Sequence, residues 1–226
     1  MADEEDMGGE DGWIVASKFA PSKPNINLVD RARLIERLEA GLAAKAIFLI
    51  APAGFGKSTV LCQWFEARPD RDDIFGWLSL DEADSAPEQF LAYITLALAE
   101  AGGELGQFEA AARNGFPDSR PQVVLSSLMR RIGNWACRCV LILDDMHLAA
   151  CPETDALLDQ MIRESPANFT LVLNSRAAPS IDLPGLVAAG DALEIGAEQL
   201  RLTKAESKAA LGDKIEESVA REIFEL

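Results

Sequence analysis

One histidine, one tyrosine and four cysteines are all that this chain of 226 residues offers to chemistries that depend on those side chains. The cysteines (Cys62, Cys137, Cys139 and Cys151) form no C-x-x-C pair, and a single histidine, His147, cannot complete a zinc set with them. Reduced core thiols are expected rather than disulfides or a structural metal. No apolar run approaches the ~18 residues needed to span a bilayer. The first residues, Met1-Ala2-Asp3-Glu4-Glu5-Asp6, lack the basic-then-apolar pattern of a secretion signal. No membrane role is expected, and a cytoplasmic location is. Positive charge is also scarce. Lys and Arg number 21 against 37 Asp and Glu, a formal net charge of -16. Such a body repels nucleic-acid phosphates, so no direct DNA binding by this chain is expected. Asp3, Glu4, Glu5, Asp6, Glu10 and Asp11 concentrate acid at the start of the chain, which reads as a solvated, disordered leader.

Against these absences stands one dense motif. Ala51-Pro52-Ala53-Gly54-Phe55-Gly56-Lys57-Ser58 follows the apolar run Ala46-Ile47-Phe48-Leu49-Ile50 and precedes the helix-like stretch Ser58 to Phe65. This is the strand–loop–helix setting of a phosphate-binding loop. Gly54 and Gly56 let the backbone curl so that successive N–H groups converge on an anion. The helix opening near Lys57 adds its positive end. Lys57 can reach terminal phosphates, and the Ser58 hydroxyl can ligate Mg²⁺, with Thr59 beside it. The pattern G-x-x-x-x-G-K-[ST] is met with one departure, Ala51 at the usual first glycine, where a small residue still fits.

The rest of the chain alternates strands with helices. A helix is expected over Val29 to Leu42, and strands over Ile74 to Leu80, Cys139 to Leu143, Phe169 to Asn174 and Ala192 to Ile195. Helices are expected from Pro87 to Gly102, around Leu125 to Trp135, over Glu153 to Glu164 and over Leu183 to Ala189. Residues near Gly106 to Pro121 read as irregular. Thr203-x-x-Glu206 is a capping-box pattern opening a further helix. The alternation predicts an α/β fold with a mainly parallel sheet covered on both faces, a three-layer P-loop NTPase arrangement followed by a partial helical segment. Ligands in such folds bind at the carboxyl ends of the strands. The loop after Ile50, Asp144-Asp145 after Leu143, and Arg176 after the fourth strand all fall there.

Val140-Leu141-Ile142-Leu143-Asp144-Asp145 is a Walker-B-type strand end. Asp144 is the expected Mg²⁺ ligand, directly or through a water. Asp145 is expected to orient the attacking water or accept its proton, though it is shorter than a Glu, so slow turnover is expected. Arg176 is placed to sense a terminal phosphate. The catalytic candidates are therefore Asp145, Lys57 and Arg176. The nucleotide-binding candidates are Ala51, Pro52, Ala53, Gly54, Phe55, Gly56, Lys57, Ser58 and Thr59, and the metal candidates are Ser58 and Asp144. His147, Trp64, Trp77 and Trp135 read as structural.

These residues, with Lys18 and the prolines after it, Arg31-Ala32-Arg33-Leu34, Gln63-Trp64, Trp77-Leu78-Ser79-Leu80-Asp81, Phe90-x-x-Tyr93, Leu143-Asp144-Asp145-Met146-His147-Leu148, Ser175-Arg176, Leu193-Glu194-Ile195 and Leu200-Arg201-Leu202-Thr203 with Glu206, stand in the order found in one family. Over about residues 15 to 215 the chain resembles the nucleotide-binding domain of MalT-type regulators, large ATP-binding LuxR-like transcription activators of the STAND class. The resemblance implies a sheet of spatial order 2-3-4-1-5, ATP or ADP with Mg²⁺ as ligands, and an ADP/ATP switch controlling oligomerisation. By the same analogy Arg31 or Arg33 lies near the nucleotide, and the partners are the nucleotide and either a second copy or a regulatory protein. The family continues into a C-terminal helix-turn-helix, whereas this chain stops at Leu226. The expected parts are a disordered acidic tail over 1–14, a nucleotide-binding domain over 15–200, and the truncated start of a helical domain over 201–226.

The leading expectation is an ATP-binding signalling switch that hydrolyses slowly. An AAA+-like ATPase remodelling a protein partner would turn over fast and be stimulated by that partner. A degenerate interaction module would fold without binding nucleotide. A small-molecule kinase also uses such a loop, but Asp144-Asp145 and Ser175-Arg176 favour the switch by family analogy.

Overall fold

In the computed structural model the described residues are 13–22, 29–68, 72–116 and 120–211. Most of the expected acidic tail, Lys23 and Pro24 of the segment after Lys18, and the expected last helix with Ile215, Val219, Ile223 and Leu226 lie outside them. Along the chain run α1 (Ala32–Gly41), β1 (Ala46–Ile50), α2 (Lys57–Ala67), β2 (Ile74–Ser79), α3 (Pro87–Glu100), α4 (Gln107–Arg113) and α5 (Pro121–Ile132). Then come β3 (Cys139–Asp144), α6 (Pro152–Arg163), β4 (Phe169–Ser175), α7 (Leu183–Ala189), β5 (Ala192–Gly196), α8 (Ala197–Leu200) and α9 (Lys204–Leu211). The five strands form one parallel sheet in the order β2-β3-β4-β1-β5. This is the expected order.

The strands read as apolar runs because both their faces are covered. Their two-residue period sorts the side chains into two cores. Phe48, Leu78, Leu141, Leu143, Leu171 and Leu173 face a layer built by α3, α5 and α6. Ile47, Leu49, Phe75, Trp77, Val140, Ile142, Val172 and Ile195 face α1 and α2, with Leu34, Leu38, Val60, Leu61 and Trp64 against them. At Gly76 a Cβ would sit 3.2 Å from the Ala97 carbonyl oxygen and 3.3 Å from Leu141, so α3 closes on β2 only over a glycine. Deleting a buried leucine side chain from either core, as in Leu143→Ala, costs ~2–5 kcal/mol. The thiols behave as core groups. Burial, with the nearby acids Asp144 and Glu66, pushes Cys62 up to about 11, and all four cysteines are free.

Three boundaries differ from the sequence-based expectation. Gln107–Arg113 is helical where irregular chain was expected. Its alanine-rich run, Ala110-Ala111-Ala112, favours helix, but Gly106 and Asn114-Gly115 confine it to two turns, too short for a readable period. Trp135 lies past the end of α5, which stops before Gly133, and it packs on the core from the following turn. Arg31 precedes α1 with φ -111° and ψ 43°, so the helix opens three residues later than the apolar period suggested.

The N-terminal side of the domain is strapped down. Trp13 and Ile14 pack against the α3 side of the core. The Tyr93 hydroxyl donates to the Trp13 carbonyl at 2.9 Å. Lys18 is buried and reaches Asp84 at 2.5 Å and Asp81 at 2.8 Å. Burial works to lower the Lys18 pKa, but the two carboxylates outweigh it and hold it raised.

Candidate nucleotide site

At the carboxyl ends of the strands, register and parity bring separate parts of the chain together. Leu49 pairs with Asn174 and Ile50 with Ser175, while Leu143 pairs with Leu173. Val140, Ile142 and Val172 all face α2, so Asp144 and Asn174, which continue those alternations, face α2 as well. The Ser58 side chain stands on the first turn of α2 and meets both.

Ser58 Oγ donates to Asp144 Oδ1 at 3.0 Å. The Asn174 amide nitrogen, Nδ2, donates to Ser58 Oγ at 2.9 Å and also to Asp144 Oδ1. Asn174 is fully buried, Asp144 is 8% exposed, and Asn174 Oδ1 has no partner among the described residues. An unmatched buried amide oxygen costs about 1–3 kcal/mol. Burial raises the Asp144 pKa and Asp145 adds to this, while the bonds from Asn174 and Ser58 work the other way. The net direction is upward.

The loop itself is open. Pro52, Ala53 and Gly54 are exposed. Gly54 has φ +86° and Gly56 φ +76°, the left-handed region that other residues seldom occupy. Gly56 immediately precedes the eleven-residue helix α2. The ammonium of Lys57 turns back on the loop, donating to the Ala51 carbonyl at 2.7 Å and the Pro52 carbonyl at 3.1 Å. Its pKa is lowered, first by burial and then by Arg176, against the pull of Asp145 and Asp144. Charge on Arg176 and both aspartates is therefore felt at Lys57.

Asp145 adopts the left-handed backbone, φ 57° and ψ 36°, and its side chain is 43% exposed. A non-glycine residue there stores ~1–2 kcal/mol, a cost Asp tolerates better than most residues. Its Oδ1 stands 3.9 Å from His147 Nδ1. Neither ring nitrogen of His147 has a hydrogen-bond partner among the described residues. Burial lowers the His147 pKa, with Arg176 and Lys57 in the same direction and Asp145 opposing, so the ring is held toward its neutral form. Arg176 is exposed just beyond β4.

Every loop and strand-end candidate thus lies at one end of the sheet. Sequence reasoning missed Asn174, which looked like the end of an apolar strand. Counting parity from Val172 gives the signal, because a polar residue two steps on points to the same face as Asp144.

A second cluster borders the loop. Arg31 is 5% exposed, and its Nη1 lies 3.4 Å from where a Cβ on Gly56 would be. Its Nη2 donates to the Leu200 carbonyl at 2.5 Å. Arg33 donates to the Gln199 and Arg201 carbonyls at 2.6 Å each and to Glu206 at 3.0 Å. The expected capping box at Thr203 is present, with Glu206 accepting from the Thr203 N–H at 2.7 Å and Thr203 Oγ1 accepting from the Glu206 N–H at 3.2 Å.

The donor set suits Mg²⁺ better than a metal held by protein alone. Among the described residues no group of three or more His, Cys, Asp or Glu converges as a metal site. One hydroxyl and one carboxylate at the foot of an anion-ready loop is the sparse protein contribution that Mg²⁺ takes when phosphates supply the rest.

No family model matches the chain. Its sequence is 31% identical over 199 residues to the HTH-type transcriptional regulator MalT of Klebsiella pneumoniae subsp. pneumoniae, covering 86% of this chain and 21% of that protein. MalT of Cronobacter sakazakii is 30% identical over 200 residues, with the same shares. By homology the chain is of the MalT type. This MalT-type chain spans about a fifth of the length of the curated relatives it matches. Among solved structures, a STAND protein with a tetratricopeptide repeat sensor from Pyrococcus horikoshii aligns over 92% of this chain and 29% of its own, with TM-score 0.62 and 14% identity. The Aeropyrum pernix ORC1 protein, solved in complex with DNA, aligns over 88% of this chain and 50% of its own, with TM-score 0.54 and 17% identity. The Walker-type ATPase of Pyrococcus abyssi gives TM-score 0.52 at 13% identity, over 91% of this chain and 65% of its own. These likenesses establish the fold of the MalT-type chain as an α/β three-layer P-loop NTPase fold. Among the described residues no helix is long and apolar enough to cross a membrane.

Proposed function

We propose that this chain is the nucleotide-binding domain of a MalT-type transcriptional regulator and acts as a cytoplasmic ADP/ATP switch with slow hydrolysis. The observation that carries the reading is the 3.0 Å bond between Ser58 and Asp144 at the foot of a loop whose glycines hold left-handed backbone. Two residues of the types that hold Mg²⁺ are already in contact there, beside a helix N-terminus and a lysine.

The backbone of Ala51 to Ser58 wraps the phosphates, with Thr59 continuing the helix end behind them. Lys57 exchanges the Ala51 and Pro52 carbonyls for phosphate oxygens, a stronger charge-assisted pairing. Ser58 and Asp144 would hold Mg²⁺, whose positive charge would offset the negative charge of the phosphates. Asp145 orients the attacking water and takes its proton. It is a short side chain on a left-handed residue, which supports low turnover. Arg176 reaches toward the terminal phosphate as the sensor of its presence. Arg31, between Gly56 and the Leu200 carbonyl, supports a path from the loop to the end of α8, and its 3.6 Å pairing with Glu206 extends that path to α9. Partners under this reading are the nucleotide and either a second copy or a regulatory protein. DNA contact belongs to no residue of this acidic chain.

Steady-state phosphate release together with size-exclusion in ADP and in a non-hydrolysable ATP analogue tests the reading. Turnover well below one per second and a nucleotide-dependent change in assembly are expected. Turnover of about 10 per second, the ordinary enzyme range, with assembly blind to nucleotide, would replace the switch with a working ATPase.

A further inference from the structure

Asn174 stands out among the buried residues of the sheet. Its neighbour on the same face, Val172, is apolar and fully buried. Asn174 is equally buried, yet it carries an amide whose oxygen finds no partner among the described residues. Burying that oxygen unmatched is unfavourable, and an apolar residue would avoid it. The amide nitrogen is engaged differently. It donates to Ser58 Oγ at 2.9 Å and to Asp144 Oδ1, so one group of positive polarity sits between the two oxygens. Those are the oxygens that a divalent cation would bind. The Asn174 amide nitrogen holds both of them at once.

We propose that Asn174 is a positioning residue of the divalent-cation site, its amide nitrogen bracing the Ser58 and Asp144 oxygens that the cation would meet. The inference rests on the nucleotide reading above and deepens it. The N–H groups of that amide hold the Ser58 hydroxyl and the Asp144 carboxylate at a fixed spacing. The cation therefore meets two oxygens already aligned and does not have to gather them.

The test uses the full chain and two near-isosteric variants. Asn174→Leu removes both polar atoms, and Asn174→Asp keeps oxygens but removes the donor. Calorimetric titration with ADP, with and without Mg²⁺, gives the Mg²⁺-dependent part of the affinity, and thermal melting with Mn²⁺ alone gives a second readout free of nucleotide. In Asn174→Leu the Mg²⁺-dependent gain falls about tenfold while Mg²⁺-free ADP affinity stays within about twofold of wild type. Asn174→Asp melts lower than wild type without ions, because two carboxylates then face each other, and Mn²⁺ restores more of its melting temperature than it adds to wild type. A full Mg²⁺ gain in Asn174→Leu, or an Asn174→Asp variant that Mn²⁺ does not rescue, overturns the proposal and leaves Asn174 a structural amide. Tight ADP binding by wild type that ignores Mg²⁺ overturns this inference and leaves the phosphate loop standing. Failure of wild type to bind ADP overturns both.

Discussion

On the loop side of the site, Pro52, Ala53 and Gly54 are exposed, and the buried Lys57 donates to two loop carbonyls. On the other, Ser58, Asp144 and Asn174 bond to one another beneath the surface, two of the three almost without exposure. The loop side waits for its partner. The strand-end side has internal partners in place and must exchange them. An anion can therefore be gripped by the loop with little rearrangement, whereas a cation must displace existing hydrogen bonds. Changes on the loop side should cost affinity and leave the fold alone. Changes on the strand-end side should alter ion dependence and stability together.

The largest expected effect is on the loop side. Lys57→Ala lowers ATP affinity about a hundredfold, as loss of a charge-assisted phosphate contact predicts, with little change in melting temperature. Calorimetry and a melt on the same sample check this, and unchanged affinity removes the loop assignment. Next comes Asp144→Asn, expected to cost about thirtyfold in ATP affinity with Mg²⁺ and little without it. Equal losses in both conditions would erase the contrast between the two sides. Asp145→Asn is expected to slow phosphate release at least tenfold while the ATP dissociation constant moves less than about twofold. A matching loss of affinity would make Asp145 part of the binding set.

The smallest effect lies away from the loop and strand ends, at the Arg33–Glu206 pair. Burial works to raise the Glu206 pKa, but its bonds from Arg33 and the Thr203 N–H outweigh this and hold it below the ordinary 4.5. A lowered acid pKa contributes stability that is present above 4.5 and lost as pH falls through the folded value. Acid titration of the melting temperature should therefore steepen below about pH 4.5 in wild type. Glu206→Gln flattens that limb and costs at most ~1 kcal/mol at neutral pH, since Arg33 is partly exposed. An unchanged acid limb in the variant would show that the Arg33–Glu206 pair contributes nothing to the stability of this end of the domain.

Much of this was legible in the sequence for physical reasons. Strands covered on both faces write themselves as runs such as Val140 to Leu143, and Gly54 and Gly56 signal unusual backbone. The spatial order of the strands came from family resemblance, because pairing between β4 and β1 is a long-range matter that no local pattern encodes. Asn174 was not read as a site residue because its role depends on two other strand ends arriving at the same level. The helix at Gln107–Arg113 escaped because two turns present too little period. The partners of Arg31 and Arg33 lie more than 160 positions away, so that cluster existed only as an analogy until the fold brought Leu200 and Glu206 alongside.

The most direct measurement is calorimetric titration of the purified chain with ATP and ADP, each with and without Mg²⁺. The account predicts binding of both nucleotides through the loop, strengthened by Mg²⁺ through Ser58 and Asp144. A folded chain that binds neither nucleotide would contradict it.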